Sequence, residues 1–285
     1  MLRSIVALVA ALAMLPAAAM ADPVRFAVTD IEGLEHLQQE FGAFEAALEE
    51  QTGLDIELFP VNSRTAAVEA LNQGQVDLVL TGPAEYVVIE ELTNAEIVVA
   101  WQRPNYFAQI VVLADGPIRS VDQLRGQTVT FGSVGSTSQH LGPAQVLSDF
   151  GLQYGADYSP QIISRNVAVE ALIRGDVQAV GMNEGHLSRI REAFPNTAFT
   201  VVARGRDLPN DILVARNGLD GEIAAKIRDV FLNDGDTLMQ AVLSGEDNQK
   251  YRGGFFLTDI QDGDYDYVRA MYTTIGVDTS TFVGD

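Results

Sequence analysis

Hydrophobic and polar positions follow two different periods along the chain, and these periods predict strands and helices in turn. Residues 24–29 alternate with a period of two and are rich in β-formers, which predicts a strand. Residues 34–51 place leucine and phenylalanine at helical spacing. A strand over 54–61, a helix over 63–74 and a buried strand over 76–80 are expected to follow. This order of elements is typical of a mostly parallel sheet covered by helices.

The same patterns predict further strands and helices up to residue 274. A short helix is expected over 83–92, and a second helix is expected to run from the glycine- and hydroxyl-rich residues 132–138 to about Phe150. The remainder after 215 is mainly helical and includes a last helix over 264–274. The other predicted strands are 97–101, 107–113, 128–131, 161–163, 199–203 and 211–215.

One segment occurs nearly twice. Residues 63–79 return as residues 164–180 without a gap, and ten of the seventeen positions are identical. The spacing is much longer than the ~20–50 residues of a solenoid repeat, and only two copies occur. Two copies of a helix, a glycine stop and a strand indicate two similar α/β lobes, and two lobes suggest a ligand held between them. Arg64 and Arg165 occupy matching positions at the two helix starts.

The first 21 residues have the pattern of a secretory signal peptide. Arg3 supplies a positive region, residues 5–15 an apolar region, and Ala19-Met20-Ala21 a cleavage site, so we expect export and cleavage after Ala21. The apolar run is shorter than the ~20 residues of a membrane-spanning helix. The chain contains no cysteine, which excludes thiol catalysis and thiolate metal sites.

The charge is strongly acidic. The chain carries 18 lysine and arginine residues against 39 aspartate and glutamate residues, and only Lys226 and Lys250 are lysines. A basic surface for nucleic acid or anionic lipid is therefore not expected. If the ligand is an anion, local groups must bind it against the field of the whole protein: backbone N–H groups, hydroxyls and a few arginines.

The run Ser136, Thr137, Ser138 is the strongest candidate site. It follows a predicted strand and precedes a predicted helix, and the unpaired N–H groups of a helix start suit an oxyanion. A simple helix cap is an equally good explanation from the local sequence. The surrounding residues 132–138 match neither the P-loop nor the dinucleotide fingerprint, so nucleotide hydrolysis is poorly supported.

Further candidates lie at the two helix starts and at the ends of the two repeated strands. Arg64 and Arg165 could contact an oxyanion from opposite sides of a cleft. Tyr86 and Glu184 follow the repeated strands, where open α/β sheets bind ligands. Each has an equally plausible structural role: a solvated or paired arginine, a core aromatic and a helix-start acid.

Metal binding and catalysis have little support. His36, His140 and His186 lack the spacing of a zinc site. Ser136 and His140 are four residues apart, but the nucleophile elbow of a hydrolase is missing. We therefore expect neither a catalytic residue nor a metal nor a cofactor.

Short motifs along nearly the whole mature chain point to one family. With them the chain resembles the phosphonate-binding family of periplasmic proteins, which serve ABC importers for phosphonate, phosphite and related oxyanions. The serine-threonine-serine run is the specific element. The motifs are Thr52-Gly53, Val76-Asp77, Gly82-Pro83-x-x-Tyr86, Gly135-Ser136-Thr137-Ser138, His140-Leu141-Gly142-Pro143, Leu208-Pro209-Asn210-Asp211, Gly254-Phe255 and Tyr265-Asp266-Tyr267.

The resemblance implies a type II periplasmic binding protein, with two mostly parallel-sheet α/β lobes joined by crossover strands around a ligand cleft. We expect lobe 1 at 22–113 plus 214–285 and lobe 2 at 114–213. It also implies a protein without turnover that delivers a small anionic ligand to an inner-membrane ABC permease. We expect a monomer in the periplasm.

The resemblance also implies roles for site residues. Residues 136–138 would hold the oxyanion with hydroxyl and N–H donors. Tyr86 and Tyr106 look like pocket aromatics. Glu184 and Asp211 lie near the positions where aminophosphonate binders keep acids for the amine of the ligand.

Three positions depart from the family pattern. Arg64 stands where such binders often have tyrosine, Arg165 where they often have histidine, and Gln139 where a glycine is frequent. Two added positive groups favour a more anionic ligand, such as a carboxylated phosphonate or a doubly charged phosphorus oxyanion. Glu184 and Asp211 act in the opposite direction, unless they merely neutralise the arginines.

Three alternatives remain open from the sequence. The first is a binder of the same fold for another solute, such as a sulfonate or an organic acid. The second is a sensor subunit that presents its ligand to a membrane kinase. The third is an exported hydrolase.

Overall fold

Two mixed β-sheets, each covered by helices on both faces, divide the chain into two lobes. The computed structural model describes residues 22–29 and 31–279, and the predicted signal peptide lies outside the described residues. The strands are β1 (Val24–Val28), β2 (Ile56–Leu58), β3 (Leu78–Thr81), β4 (Glu96–Trp101), β5 (Phe107–Leu113), β6 (Thr128–Phe131), β7 (Ser159–Ile162), β8 (Ala179–Asn183), β9 (Phe199–Asp207), β10 (Asp211–Ala215) and β11 (Phe256–Leu257). The α-helices are α1 (Leu34–Thr52), α2 (Arg64–Asn72), α3 (Pro83–Thr93), α4 (Gly142–Asp149), α5 (Arg165–Arg174), α6 (Glu184–Ala193), α7 (Gly221–Asn233), α8 (Gly235–Val242) and α9 (Asp266–Thr274).

The strand order differs between the sheets, but the pairing follows one scheme. The first sheet has the order β11-β4-β10-β3-β1-β2 and the second β7-β6-β8-β5-β9. β1 pairs in parallel with β2 and β3, and β6 pairs in parallel with β7 and β8. β10 and β5 run antiparallel to their neighbours. The predicted α/β class and two-lobe fold are confirmed, with mixed sheets where mostly parallel ones were expected, because these two strands run against their neighbours.

The two copies of the repeat occupy equivalent places. β3 lies between parallel β1 and antiparallel β10, and β8 lies between parallel β6 and antiparallel β5. Helices α2 and α5 precede these strands at the same offset. Ser63 caps α2 by accepting a hydrogen bond from the Ala66 N–H at 3.0 Å, whereas the Ser164 side chain makes no such bond to α5.

The strand pairing moves the lobe boundaries from the predicted positions. The prediction put residues up to 113 in lobe 1 and residues up to 213 in lobe 2, but β5 pairs within the second sheet and all of β10 within the first. The chain therefore crosses between the sheets at 102–106 and at 208–210. Hydrophobic patterns reveal that a strand exists but not which sheet it joins, and this is why both boundaries were displaced.

The two crossover segments run side by side. The Leu208 N–H donates to the Tyr106 carbonyl at 2.9 Å, and the Arg103 N–H donates to Asn210 Oδ1 at 3.1 Å. The adjoining core of lobe 1 is aromatic, since the fully buried Trp101 contacts Phe44 and Tyr251 at centroid distances of 5.2 and 5.4 Å. Edge contacts of this kind add about 0.5–1.5 kcal/mol each beyond area burial. The crossovers therefore lie on a firmly packed base.

Within residues 22–29 and 31–279, none of the helices combines the length and the apolar character that crossing a bilayer requires.

Asp77 lies in the first copy of the repeat and Asp176 in the second, at non-equivalent positions, and together they form a buried and an exposed aspartate for testing the fold. Asp77 is buried and accepts from Arg216 Nε at 2.8 Å and from the Arg25 backbone N–H at 2.9 Å. Asp176 pairs with Arg174 at the surface, with 59% of its side chain exposed. Asp77→Ala should lower the free energy of unfolding by about 1–3 kcal/mol, because it leaves buried donors without an acceptor. Asp176→Ala should lower it by less than about 1 kcal/mol.

Chemical denaturation of both variants measures the difference. Equal losses of stability in the two variants would contradict the stabilising role assigned to the buried Asp77.

Candidate functional site

A cavity of about 840 Å³ lies between the lobes. Its lining comes from the first crossover, from Asp211 at the start of β10, from residues 246–250 and from loops that follow the carboxyl ends of β3, β6 and β8. Ligands of open α/β sheets bind at such strand ends. This cleft is therefore the candidate site.

The serine loop, residues 132–138, folds back onto the helical turn that follows it. The Gly132 N–H donates to the Gln139 carbonyl at 2.9 Å, and a Cβ at position 132 would lie 2.8 Å from the Gln139 Cβ. A side chain at position 132 would therefore force Gln139 to move. The loop continues into a π-helical turn, Thr137–Leu141, and then into α4. The predicted strand–loop–helix order is confirmed, with a π turn at the point where Gly142-Pro143 was expected to distort the helix.

Ser136, Thr137 and Ser138 of this loop are buried and line the cleft. Thr137 Oγ1 accepts a hydrogen bond from the Ala84 N–H at 3.0 Å, which joins lobe 2 to the start of α3 in lobe 1. Ser138 Oγ accepts from Asn183 Nδ2 at 2.8 Å and is also hydrogen-bonded to Tyr106. Within the described chain, the backbone N–H groups of Thr137 and Ser138 have no acceptor. They are therefore able to bind an oxyanion.

Arg64 lines the cleft and is balanced by an acid that the sequence did not single out. Its Nε lies 2.5 Å from Glu85 Oε1, and Glu85 is 8% exposed. Its Nη1 lies 3.4 Å from the Val134 carbonyl oxygen, in the serine loop of the other lobe. The position of Arg165 at the start of α5 is described, but its side chain lies outside the described part of the structure.

Asp211 lines the cleft but is engaged within the protein. Its carboxylate accepts from Arg103 Nη1 at 3.2 Å and from the Tyr251 hydroxyl at 2.8 Å, and Lys250 Nζ lies 3.8 Å away. Burial alone would lower the pKa of Arg103, but the charge of Asp211 and the hydrogen bond to it, together with Tyr106 and Tyr251, raise the pKa overall. Asp211 therefore lies in the cleft, where the resemblance placed it, and its carboxylate pairs with Arg103 of the first crossover.

The two predicted tyrosines lie in different places. Tyr106 lines the cleft, and the Arg103 guanidinium lies 3.7 Å from its ring centroid. Burial raises the pKa of Tyr106 to about 12, so its phenol is a neutral hydrogen-bonding group. Tyr86 does not line the cleft: it packs on Tyr265 in the core, and its hydroxyl donates to Asp262 Oδ1 at 2.9 Å. The sequence could not show which face of α3 is turned to the core.

Glu184 lines the cleft at the start of α6, as predicted from its place after a repeated strand. Its Oε1 accepts a hydrogen bond from the Ser188 hydroxyl at 2.8 Å. The preceding Asn183 was not predicted, although it ends the same strand. Its Oδ1 accepts from the His186 N–H at 2.8 Å, and this bond directs its Nδ2 at Ser138.

Among the described residues, one group of possible metal ligands occurs at the rim of the cleft. The ligand atoms of His36, Glu40 and Asp247 lie within 4.8 Å of one another. The Glu40 carboxylate accepts the N–H groups of Glu246 at 3.2 Å and Asp247 at 2.9 Å. This backbone contact accounts for the proximity of the three residues without an ion.

His140 supports the serine loop and is not paired with Ser136. Its Nδ1 accepts from the Gly135 N–H at 3.1 Å, and its Nε2 lies 3.0 Å from the Tyr154 hydroxyl. Burial lowers the pKa of His140 to about 4, so the ring is neutral at pH 7. His140 therefore supports the serine loop and does not form the serine–histidine pair of a hydrolase with Ser136.

NMR titration of the three histidines tests this role. We expect His140 to titrate near pH 4 and to carry its proton on Nε2, because Nδ1 is an acceptor. Its pKa is lower in the folded than in the unfolded state, so its stabilising contribution is full above about pH 6.5 and is lost as the pH falls toward 4. A midpoint for His140 near 6.5 would contradict this assignment.

Comparisons with known proteins agree on one family. The family model described as ABC transporter, phosphonate, periplasmic substrate-binding protein matches residues 26–261. Among solved structures, PhnD1 of Prochlorococcus marinus in complex with methylphosphonate is 18% identical, with a TM-score of 0.68 over 89% of this chain and 98% of that one. XAC2383 of Xanthomonas citri bound to ATP is 16% identical, with a TM-score of 0.69 over 90% and 98%.

A sulfonate binder shares the fold as well. The aliphatic sulphonate binding protein SsuA of Escherichia coli is 18% identical, with a TM-score of 0.57 over 92% of this chain and 77% of that one. At these identities the structural likenesses establish the fold, while the family model covers most of the sequence. The chain belongs to the phosphonate-binding family of periplasmic substrate-binding proteins of ABC transporters.

Proposed function

We propose that this protein binds a phosphonate-type oxyanion in the interlobe cleft and delivers it to an inner-membrane ABC permease. It acts after export to the periplasm and cleavage behind Ala21, as a monomer and without turnover. Membership of a transport family supports this role, and so do the buried hydroxyls of the serine loop.

The serine loop is the observation that carries the proposal. Ser136, Thr137 and Ser138 bring three hydroxyls to one wall of the cleft, and the backbone N–H groups of Thr137 and Ser138 are available there. Donors of this kind, fixed in advance, bind oxyanions without adding net charge. This arrangement suits a protein whose net charge is −21.

The charges around the cleft favour a singly charged ligand over a dianion. Glu85 balances Arg64, and Asp211 balances Arg103. Arg64 therefore adds less net positive charge than its presence in the sequence suggested. A monoanion bound by neutral donors fits these two balanced pairs better than a doubly charged oxyanion.

The support for a hydrolase is weak, because the one histidine near Ser136 is occupied by the Gly135 N–H and Tyr154. Assays with phosphate and carboxylate esters should show no turnover. Calorimetry and thermal shift with methylphosphonate, phosphite, 2-aminoethylphosphonate, phosphate, sulfate and methanesulfonate test the ligand class. Failure of every phosphorus oxyanion to bind or stabilise the protein would overturn the proposal.

Substitution of the hydroxyl residues tests the serine loop directly. Ser136→Ala and Ser138→Ala should each weaken binding of the preferred oxyanion by roughly 10- to 150-fold, since a hydrogen bond to a charged group contributes ~1.5–3 kcal/mol. Ser120→Ala is the control, because Ser120 also precedes a helical turn but does not line the cleft. Unchanged affinity in both site variants would show that the loop only caps the helix.

A further inference from the structure

The start of helix α3 places a carboxylate directly beside the serine loop. The Ala84 N–H donates to Thr137 Oγ1 at 3.0 Å across the cleft, and Glu85 is the next residue. Glu85 lines the cleft and is 8% exposed. Burial and the charge of Glu85 are the two leading causes that raise the pKa of Tyr272, and Glu85 also acts to raise the pKa of Tyr106. The charge of Glu85 therefore acts on a side chain, Tyr106, that lines the cleft.

Two neighbouring residues hold this carboxylate in place. Arg64 Nε lies 2.5 Å from Glu85 Oε1. On the other side, Glu85 Oε2 lies against the Cα of Gly82, since a Cβ there would lie 2.6 Å from this oxygen. An ionised carboxylate has about four lone-pair sites, so it can accept a donor from a ligand in addition to its contacts within the protein.

The other acids of the cleft are placed differently. Asp211 is bound by Arg103 and Tyr251, and Glu184 lies on the opposite lobe with a hydrogen bond from Ser188. Glu85 is the acid that follows directly on the residue in contact with the serine loop. It is therefore the acid best placed to contact an oxyanion held there.

We propose that Glu85 is a specificity-determining residue that selects oxyanions retaining a proton, such as a hydrogen phosphonate or hydrogen phosphite, over sulfonates. This inference rests on the proposed function. An ionised carboxylate only accepts hydrogen bonds. A hydrogen phosphonate offers one P–OH donor, whereas a sulfonate of the same shape and charge offers acceptors alone. Two acceptors that face each other repel. A site built to accept a hydrogen bond from its ligand therefore rejects an analogue that lacks the donor.

Methylphosphonate and methanesulfonate form a matched ligand pair for this test. At about pH 5.5 both are monoanions, because the second pKa of a phosphoryl group is about 6 or higher. By calorimetry the wild-type protein should prefer methylphosphonate by at least about 100-fold. Glu85→Gln should reduce this ratio by at least about tenfold, because its amide can donate to the sulfonate. The loss of a negative charge beside Arg64 raises the affinity for both anions. The ratio of the two affinities is therefore compared between the variants, because it cancels this common effect.

Two further variants make the result specific. Glu85→Asp keeps the acceptor-only carboxylate and should keep most of the preference, although its side chain is shorter. Glu91→Gln removes the same charge from the exposed part of α3 and should leave the ratio unchanged. Thermal denaturation of each variant confirms that it is folded.

The outcomes separate this inference from the proposed function. A ratio that Glu85→Gln changes by less than twofold overturns the role of Glu85 and leaves the proposed function intact. Equal binding of both ligands by the wild-type protein has the same consequence. Binding of neither methylphosphonate nor any other phosphorus oxyanion by the wild-type protein overturns both.

Discussion

The buried ion pair between Arg103 and Asp211 is the interaction on which the site depends. Arg103 belongs to one crossover and Asp211 begins the strand after the other, so their contact at 3.2 Å fixes the two connections between the lobes. The Arg103 guanidinium also packs on the Tyr106 ring, and Tyr106 is bonded to Ser138. Removing one partner of a buried pair leaves an uncompensated charge and costs about 3–5 kcal/mol. The geometry of the serine loop is therefore linked to the crossovers between the lobes.

Charge balance explains how an acidic protein can hold an anion. Two of the arginines that line the cleft are matched by carboxylates, Arg64 by Glu85 and Arg103 by Asp211. Attraction by net charge is replaced by donors with fixed directions, and Asn183 and Tyr106 in turn orient Ser138. In this arrangement the Glu85 carboxylate does more than repel the anionic ligand. It distinguishes oxyanions by the proton that they carry.

The sequence predicted local structure and the repeated helix–strand unit well, because both depend on periodicity and on glycine stops. β5, β6 and β10 have the predicted bounds. The lobe boundaries were displaced because strand pairing is a long-range property. Tyr86 was misplaced for a related reason: on a helix buried on several sides, the sequence does not show which face meets the cleft. Glu85 and Arg103 were missed because their significance comes from partners 21 and 108 residues away in the chain.

A crystal structure of the protein with methylphosphonate would show directly whether the serine loop and Glu85 hold the oxyanion. The account predicts the phosphonate oxygens within hydrogen-bond distance of the Ser136 and Ser138 hydroxyls and the Thr137 and Ser138 N–H groups. One further phosphonate oxygen should lie within about 2.5–2.7 Å of a Glu85 oxygen, as a charge-assisted O–H···O bond requires. A ligand bound away from the serine loop, or one with Glu85 turned out of the cleft, would contradict the account.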